Sequence, residues 1–537
     1  MPAFSRRPAF AVPALILLSL IVAIALLLLL TDRRPEIDRL DPSVGADGEV
    51  ITITGRNFGD ERGTSSVWIA GRRLTASRYL GWSDSEISVA LPDFTESGLV
   101  VVATDSGESE GVLLRHRDEV PRAGGEGRTT ARVSGYSPGD PAIGDVLVVA
   151  GDGFGERRAG AEVEFTGLDG ASVRPAPDDY AYEYWSPNEI RVRVPSGAMS
   201  GPVWLVFPGG NETERYSLGT VEVRRVGGEK RLGDRLQSVV ERNIRIRGLE
   251  ARGSDGRLLF WMPRVPDRVQ QREAFVLSEN GPQPLSLDDE MLLYEWRTDR
   301  AGTRVGIRRN ELFERAAVTS DLSTGSVRTS YDTEWELYRR YTSSREGLSL
   351  GEPVVETNAS RAGSSNPLQF ARNVYSWMIS NVEWSEEGSA DVVEVLEDGR
   401  GNSAGIADAF VAVLRAGGVP ARPVRGVLVV EPGEMPFYSW AEFFLSGFGW
   451  VPADVARAAG AGEHYGIGDS LALGELDNRV IEFRAGIPET PVFHPDATRH
   501  RDIGVYAPRA VVYEKESGAI SSIDWPNPVL LGTREVD

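Results

Sequence analysis

The 537-residue chain contains no cysteine, so a thiol nucleophile, a disulfide and a thiolate metal site are all excluded. Acid–base chemistry near neutral pH would fall to four histidines: His116, His464, His494 and His500. His494 and His500 stand beside Asp496 and Asp502, but two histidines six apart with loose acids match no known ligand spacing. No dinucleotide fingerprint, Walker element, calcium loop or zinc motif occurs, so no cofactor or metal is expected. What is left is hydroxyl chemistry. Ser403 directly precedes the apolar run Ala404–Ala416, and Tyr438, Glu442 and Asp454 follow within YSWAEFFL and GFGWVPADV. A serine hydroxyl needs a base to become nucleophilic. His464, ten residues past Asp454 in a glycine-rich loop, is the histidine that could fold back towards it.

The elements that must position these residues are legible. Asn366-Pro367-Leu368 opens a helix with Phe370, Val374, Trp377 and Met378 on one apolar face. Ala404–Ala416 reads as a second helix, with Ile406, Phe410, Val413 and Leu414 on one side and Gly417-Gly418 and Pro420 as its stop. Serine is a preferred N-cap, so Ser403 is expected to cap it. A strand follows over 423–430.

This order resembles the transglutaminase-like (papain-like) domain, whose pattern is G-x-C-x-x-x-A, L-R-x-x-G-[IV]-P-A-R, H-x-W-x-E and G-W-x-x-x-D. The chain supplies Gly401, Ala407, Leu414, Arg415, Gly418, Val419, Pro420, Ala421, Arg422, Trp440, Glu442, Gly449, Trp450 and Asp454 over roughly residues 340–460. The resemblance implies that Ser403 holds the nucleophile position, where the family has cysteine. It puts Tyr438 at the base position, where the family has histidine, and retains only Asp454 as the orienting acid. Tyrosine, with an ordinary pKa of about 10, donates a hydrogen bond but does not shuttle a proton as imidazole does. Loss of such a unit costs on the order of 10⁴ to 10⁶ in rate. The Ser403–Tyr438–Asp454 set is therefore expected to be inactive, with the Tyr438 hydroxyl satisfied on Asp454 or Ser403. The domain would bind a protein, peptide or cell-envelope polymer, with Trp440 and Trp450 lining the cleft or, alternatively, filling the core of the sheet. The rival reading is a hydrolase or acyltransferase using Ser403 with a displaced base such as His464.

An internal repeat precedes this region. DPSVGADGEVITITGRNFG (41–59) with GWSDSEISVALP (81–92) recurs as SPGDPAIGDVLVVAGDGFG (137–155) with YWSPNEIRVRVP (184–195). Short β-branched strands punctuated by glycine turns describe a β-sandwich. Both copies resemble IPT/TIG domains, over 35–116 and 133–225, which implies immunoglobulin-like spacers or binding modules, with Phe58 and Phe154 as core residues. Residues 227–332 are again strand-rich. Their LFWMPRVPDRVQQ stretch, with Pro263, Pro266 and Gln271, resembles the β-rich region that precedes bacterial transglutaminase-like domains.

Residues 9–31 carry no charge and end in five leucines. As a helix they would span ~34 Å, enough for a bilayer core of ~30 Å. An uncleaved signal anchor is expected, a cleaved signal being the alternative. The layout is then a cytoplasmic stub (1–8), an anchor (9–31), two sandwiches, the β-rich segment (227–332), the transglutaminase-like domain (333–486) and a C-terminal extension (487–537), with the bulk of the chain extracytoplasmic. The formal charge of −21 argues against a nucleic-acid partner. All but two of the 58 basic residues, Lys230 and Lys515, are arginine.

Overall fold

The computed structural model describes most of the chain from Arg34 to Val536; residues 1–33, 117–130, 208–213, 250–255, 486–511 and several shorter stretches lie outside the described residues. The anchor expected over 9–31, His494 and His500 fall in those segments. No described helix is long and apolar enough to cross a membrane. The described residues divide into two compact units, the first ending with His116 and the second holding the remainder.

The first unit is a sandwich. One sheet holds β1 (Glu36–Asp41), β2 (Val50–Arg56), β3 (Tyr79–Trp82) and β4 (Glu86–Ala90) in the order β1-β2-β4-β3. Ile51, Ile53, Ile87 and Val89 point inward at alternate positions, as a period of two requires. A Cβ on Gly55 would lie 1.9 Å from the Glu36 carbonyl oxygen and 2.4 Å from the Phe58 ring, so only glycine fits. Phe58 is buried as expected, and its carbonyl accepts from the Trp82 indole.

The second repeat rebuilds the same sheet inside the second unit. Strands β5 (Arg132–Ser137), β6 (Val146–Asp152), β7 (Tyr182–Trp185) and β8 (Glu189–Arg193) run in the order β5-β6-β8-β7. Its anchors correspond one for one. Gly151 abuts the Arg132 carbonyl and Phe154 ring, and the Trp185 indole donates to the Phe154 carbonyl. Tyr182 accepts the Val163 amide as Tyr79 accepts that of Val67. The repeat in sequence is thus a repeat in packing.

Next come β9 (Gly228–Leu249), β10 (Gln271–Asn280) and β11 (Thr303–Leu322). The long strands β9 and β11 pair from Gly228↔Leu322 to Leu249↔Thr303. The C-terminal strand Val529–Val536 pairs with the other edge of β9, Arg235 facing Val536, and Val512–Glu514 joins a smaller sheet at Leu258–Phe260. The C-terminal residues are therefore not a separate extension. They complete sheets begun roughly 250 to 300 residues earlier in the chain, a pairing that local sequence pattern does not encode. Phe313, Val240 and Leu530 pack with Val427, Val429, Ile481 and Phe483 and so fuse this sheet to the one that follows.

One residue of β11 breaks the usual rule for buried charge. Arg242 and Glu311 are buried together, with the guanidinium donating twice to the carboxylate at 2.5 Å. Arg315, on the same strand, is equally buried, yet none of its three side-chain nitrogens has a hydrogen-bond partner among the described residues. Burial pulls its pKa down to about 9. An uncompensated buried charge costs roughly 3 kcal/mol. Arg315→Met, which keeps the stem and removes the charge, is expected to raise stability by about that amount, read as a rise of several degrees in the unfolding midpoint. An unchanged or lower midpoint would mean the guanidinium is solvated where it lies.

The transglutaminase-like part packs α1 (Pro353–Ala362), α2 (Pro367–Asn381), α3 (Val392–Asp398) and α4 (Ser403–Ala416) against one antiparallel sheet. Its strands are β12 (Ala421–Leu428), β13 (Phe437–Leu445), β14 (Gly449–Ala453) and β15 (Val480–Ala485), in the order β14-β13-β12-β15. Helix α4 is buried on nearly every side because helices and sheet enclose it; its Asp408 pairs with Arg425 and its Arg415 donates to the Ala421 carbonyl. It stops at Gly417, where a Cβ would lie 2.1 Å from the Phe370 ring, and at Gly418 with φ +77°.

Candidate functional site

Helix α4 begins one residue earlier than its apolar pattern suggests. The cap is Asn402, not Ser403: its side-chain oxygen accepts the Gly405 amide at 2.9 Å, and its Nδ2 donates to the Gly388 carbonyl at 2.8 Å. Asparagine and serine cap equally well, and the contact with Gly388, fourteen residues back, decides between them. Ser403 is left in the first turn, 4% exposed, and its hydroxyl makes no hydrogen bond among the described residues. The segment Glu383–Ser389 presses on this helix start so closely that a Cβ on Gly405 would lie 2.3 Å from the Ser389 carbonyl oxygen.

Tyr438 is the second residue of β13 and is fully buried. Its hydroxyl donates to Oδ1 of Asp454, just beyond β14, at 2.7 Å, and the Arg457 amide donates to the same oxygen at 3.1 Å. Of the two partners the sequence left open for Tyr438, the structure selects Asp454. Oδ2 of Asp454 is buried without a hydrogen-bond partner among the described residues. Burial, opposed by the bonds from Tyr438 and Arg457, pushes the Asp454 carboxyl up to about 6. Burial and the Asp454 charge push the Tyr438 phenol well above its usual 10, so it stays neutral.

A carboxyl raised on folding favours the protonated native state. Its stabilising contribution is present below pH ~4 and is lost as pH rises through about 6. Asp454→Asn keeps the acceptor and cannot ionise. Relative to the wild type it is expected to gain roughly 3 kcal/mol between pH 4 and 7.5, read by denaturant melts at both values. A mutant–wild-type difference that does not change with pH would contradict the assignment.

The other named residues are placed as follows. Trp440, 1% exposed with an unpartnered indole nitrogen, is in the core rather than lining a cleft. Trp450 donates to Asp179 of the second sandwich at 2.8 Å and carries the Arg422 guanidinium 3.8 Å over its ring, so it serves the junction with that sandwich. For Trp440, inward alternation along a sheet covered on both faces overrides a cleft role. The His464 ring packs 4.7 Å from the Trp384 ring and makes no hydrogen bond to Ser403 or Tyr438. The described residues hold no group of three metal-ligating side chains.

Sequence reading missed a buried ionic network joining three parts of the second unit. Asp178, on a turn of the second sandwich, takes two bonds from Arg268 at 3.0 and 2.8 Å and one from Arg422 at 2.9 Å. Arg268 also reaches Glu482, and Arg422 reaches Glu442, its direct neighbour across β12 and β13. Burial alone would raise the Asp178 carboxyl, but Arg268 and Arg422 hold it at about 2. Burial pushes Glu482 up to about 7. The Gln271 amide brackets the Glu482 backbone, donating to its carbonyl at 2.9 Å and accepting its amide at 2.7 Å. Gln271 sat in a flagged motif, and Arg422 and Glu442 in the domain pattern, so the signal was present without its partners.

With this geometry in place, comparison with known proteins is informative. Residues 356–455 match the Transglutaminase-like superfamily, and residues 35–114 match the IPT/TIG domain. The chain therefore contains a transglutaminase-like core and an N-terminal IPT/TIG domain. An uncharacterized protein of Haemophilus influenzae is 33% identical over 122 residues, covering 18% of this chain and 33% of the relative. A cyclomaltodextrin glucanotransferase of Niallia circulans is 33% identical over 76 residues, 14% of this chain and 10% of that enzyme. The chain thus spans a third or less of the length of these relatives. Among solved structures, the periplasmic domain of TgpA from Pseudomonas aeruginosa aligns at 15% identity with a TM-score of 0.23, covering 62% of this chain and 92% of that one.

Proposed function

We propose that this protein is a catalytically degenerate transglutaminase-like protein that binds a protein, peptide or cell-envelope polymer without cleaving it. The observation that carries this reading is Tyr438. It occupies the position where the domain pattern has histidine, and its neutral phenol is tied to Asp454. The Ser403 hydroxyl makes no hydrogen bond to a base among the described residues, and a serine without a base is a poor nucleophile. The sandwiches fit a spacer or binding role, and the uncharged segment 9–31 fits an anchor that keeps the bulk of the chain extracytoplasmic.

Wild-type protein incubated with a glutaminyl peptide and an amine is expected to form no product, and a fluorophosphonate probe to leave Ser403 unmodified. Soluble cell-wall fragments or peptides are expected to bind saturably. Turnover that disappears in Ser403→Ala would overturn the reading.

A further inference from the structure

A cavity of about 600 Å³ opens where the second sandwich, the sheet of β9, β10 and β11, and the transglutaminase-like sheet meet. That is the size of a small-molecule site. Its lining is heavily charged, and its arginines are closed off by carboxylates. Arg174 and Arg215 pair with Glu164, Arg272 with Asp169, Arg268 with Asp178 and Glu482, and Arg422 with Asp178 and Glu442.

Lys230 is the exception. Its Nζ donates to the Trp450 carbonyl at 2.5 Å and to the Ser196 hydroxyl at 3.3 Å, both neutral, and it forms no ion pair among the described residues. An ammonium has three donors, so one remains. Lys230 is also the one lysine among the described residues, in a chain that otherwise uses arginine for its basic side chains. A lysine differs from arginine in being a compact point charge that suits a single anionic oxygen. Burial brings its pKa down to about 8, with Glu442 and Asp179 raising it and Arg422 lowering it.

We propose that this cavity binds a small hydrophilic ligand through a carboxylate that pairs with Lys230 Nζ. Lys230 is the basic side chain of this lining without an ion pair among the described residues, and one carboxylate would supply it. Glu442 and Asp179 close by would repel a dianion such as phosphate. An apolar ligand would strip water from the paired charges around it at considerable cost. A peptide C-terminus and a sugar acid share the required chemistry.

The test uses the full-length chain in mild detergent, titrated calorimetrically with two matched probe pairs: acetyl-Ala-Ala against its C-terminal amide, and D-glucuronate against D-glucose. At least one acid is expected to bind, with its neutral counterpart at least tenfold weaker; which pair responds identifies the source. Lys230→Met, checked for an unchanged melting profile, is expected to weaken that binding at least tenfold, and Lys230→Arg to bind more tightly than Lys230→Met. Affinity is expected to fall between pH 7 and 9.5 as the ammonium deprotonates; the other charged groups facing it are Glu442, Asp179 and Arg422. Failure of both acids to bind, equal binding of acid and neutral probe, or undiminished binding by Lys230→Met would each overturn the proposal.

Discussion

Arg422→Met is expected to destabilise the second unit by about 3–5 kcal/mol, enough to release the second sandwich from the transglutaminase-like sheet. The reasoning is one of desolvation. Arg422 is 2% exposed and sits between Asp178 and Glu442, with its guanidinium over Trp450. Removing it leaves two carboxylates with less compensation in a site where water reaches poorly, and removing one member of a buried ionic set costs roughly that amount. Loss of the stacked Trp450 contact adds on the order of 1 kcal/mol. Asp178 supplies an internal check. Its carboxyl is held at about 2, so in the wild type its contribution is present above pH ~4 and is lost as pH falls through 2. The Arg422 variant should lose part of that acid sensitivity, because Arg268, the larger cause of the lowering, still donates twice to Asp178. Arg231→Met is the control: Arg231 pairs with Glu229 on the surface, its side chain 61% exposed, and surface pairs contribute little. Chemical denaturation with limited proteolysis between residues 195 and 230 reads both effects. Equal midpoints for the two variants would mean that the network merely decorates an interface held by apolar contacts.

The sequence made the local architecture legible and left the long-range architecture hidden. Gly55 and Gly151 could be assigned to equivalent turns because the constraint on each, a carbonyl and a phenylalanine ring within a few residues or one strand pairing, repeats in the text of the chain. Helix α4 was legible through its 3.6-residue periodicity. Its cap was misplaced by one position because Asn402 and Ser403 are adjacent residues of equal capping ability. The pairing of Val529–Val536 with β9 and the meeting of Asp178 with Arg422, 244 residues apart, leave no periodic trace. The same holds for the two tryptophans. Trp440 and Trp450 stood in a catalytic-domain pattern, and only the sheet that buries the first and the sandwich that meets the second show that Trp440 is core and that Trp450 sits at the junction, on the wall of the cavity there.

For the site itself, residue types alone fixed the main chemical point. No cysteine and no histidine stand at the positions where the domain pattern needs them, and the structure adds that Tyr438 is committed to Asp454. What remains to be established is that Ser403 and Tyr438 still stand where a nucleophile and its base would act on each other. Helix α4, which carries Ser403 in its first turn, packs on β13, which carries Tyr438. The decisive measurement is therefore the rate at which iodoacetamide alkylates residue 403 at pH 6 in Ser403→Cys and in Ser403→Cys/Tyr438→His. An isolated thiol with a pKa near 8.5 is almost entirely protonated at that pH, whereas a thiol beside an imidazolium and a helix N-terminus ionises well below it. The double variant is expected to react at least tenfold faster than the single one, and further replacement of Asp454 by Asn should remove much of the gain by freeing the imidazole. Equal, slow alkylation in both would contradict the account, because it would mean that these positions no longer form the catalytic pair of a transglutaminase-like fold.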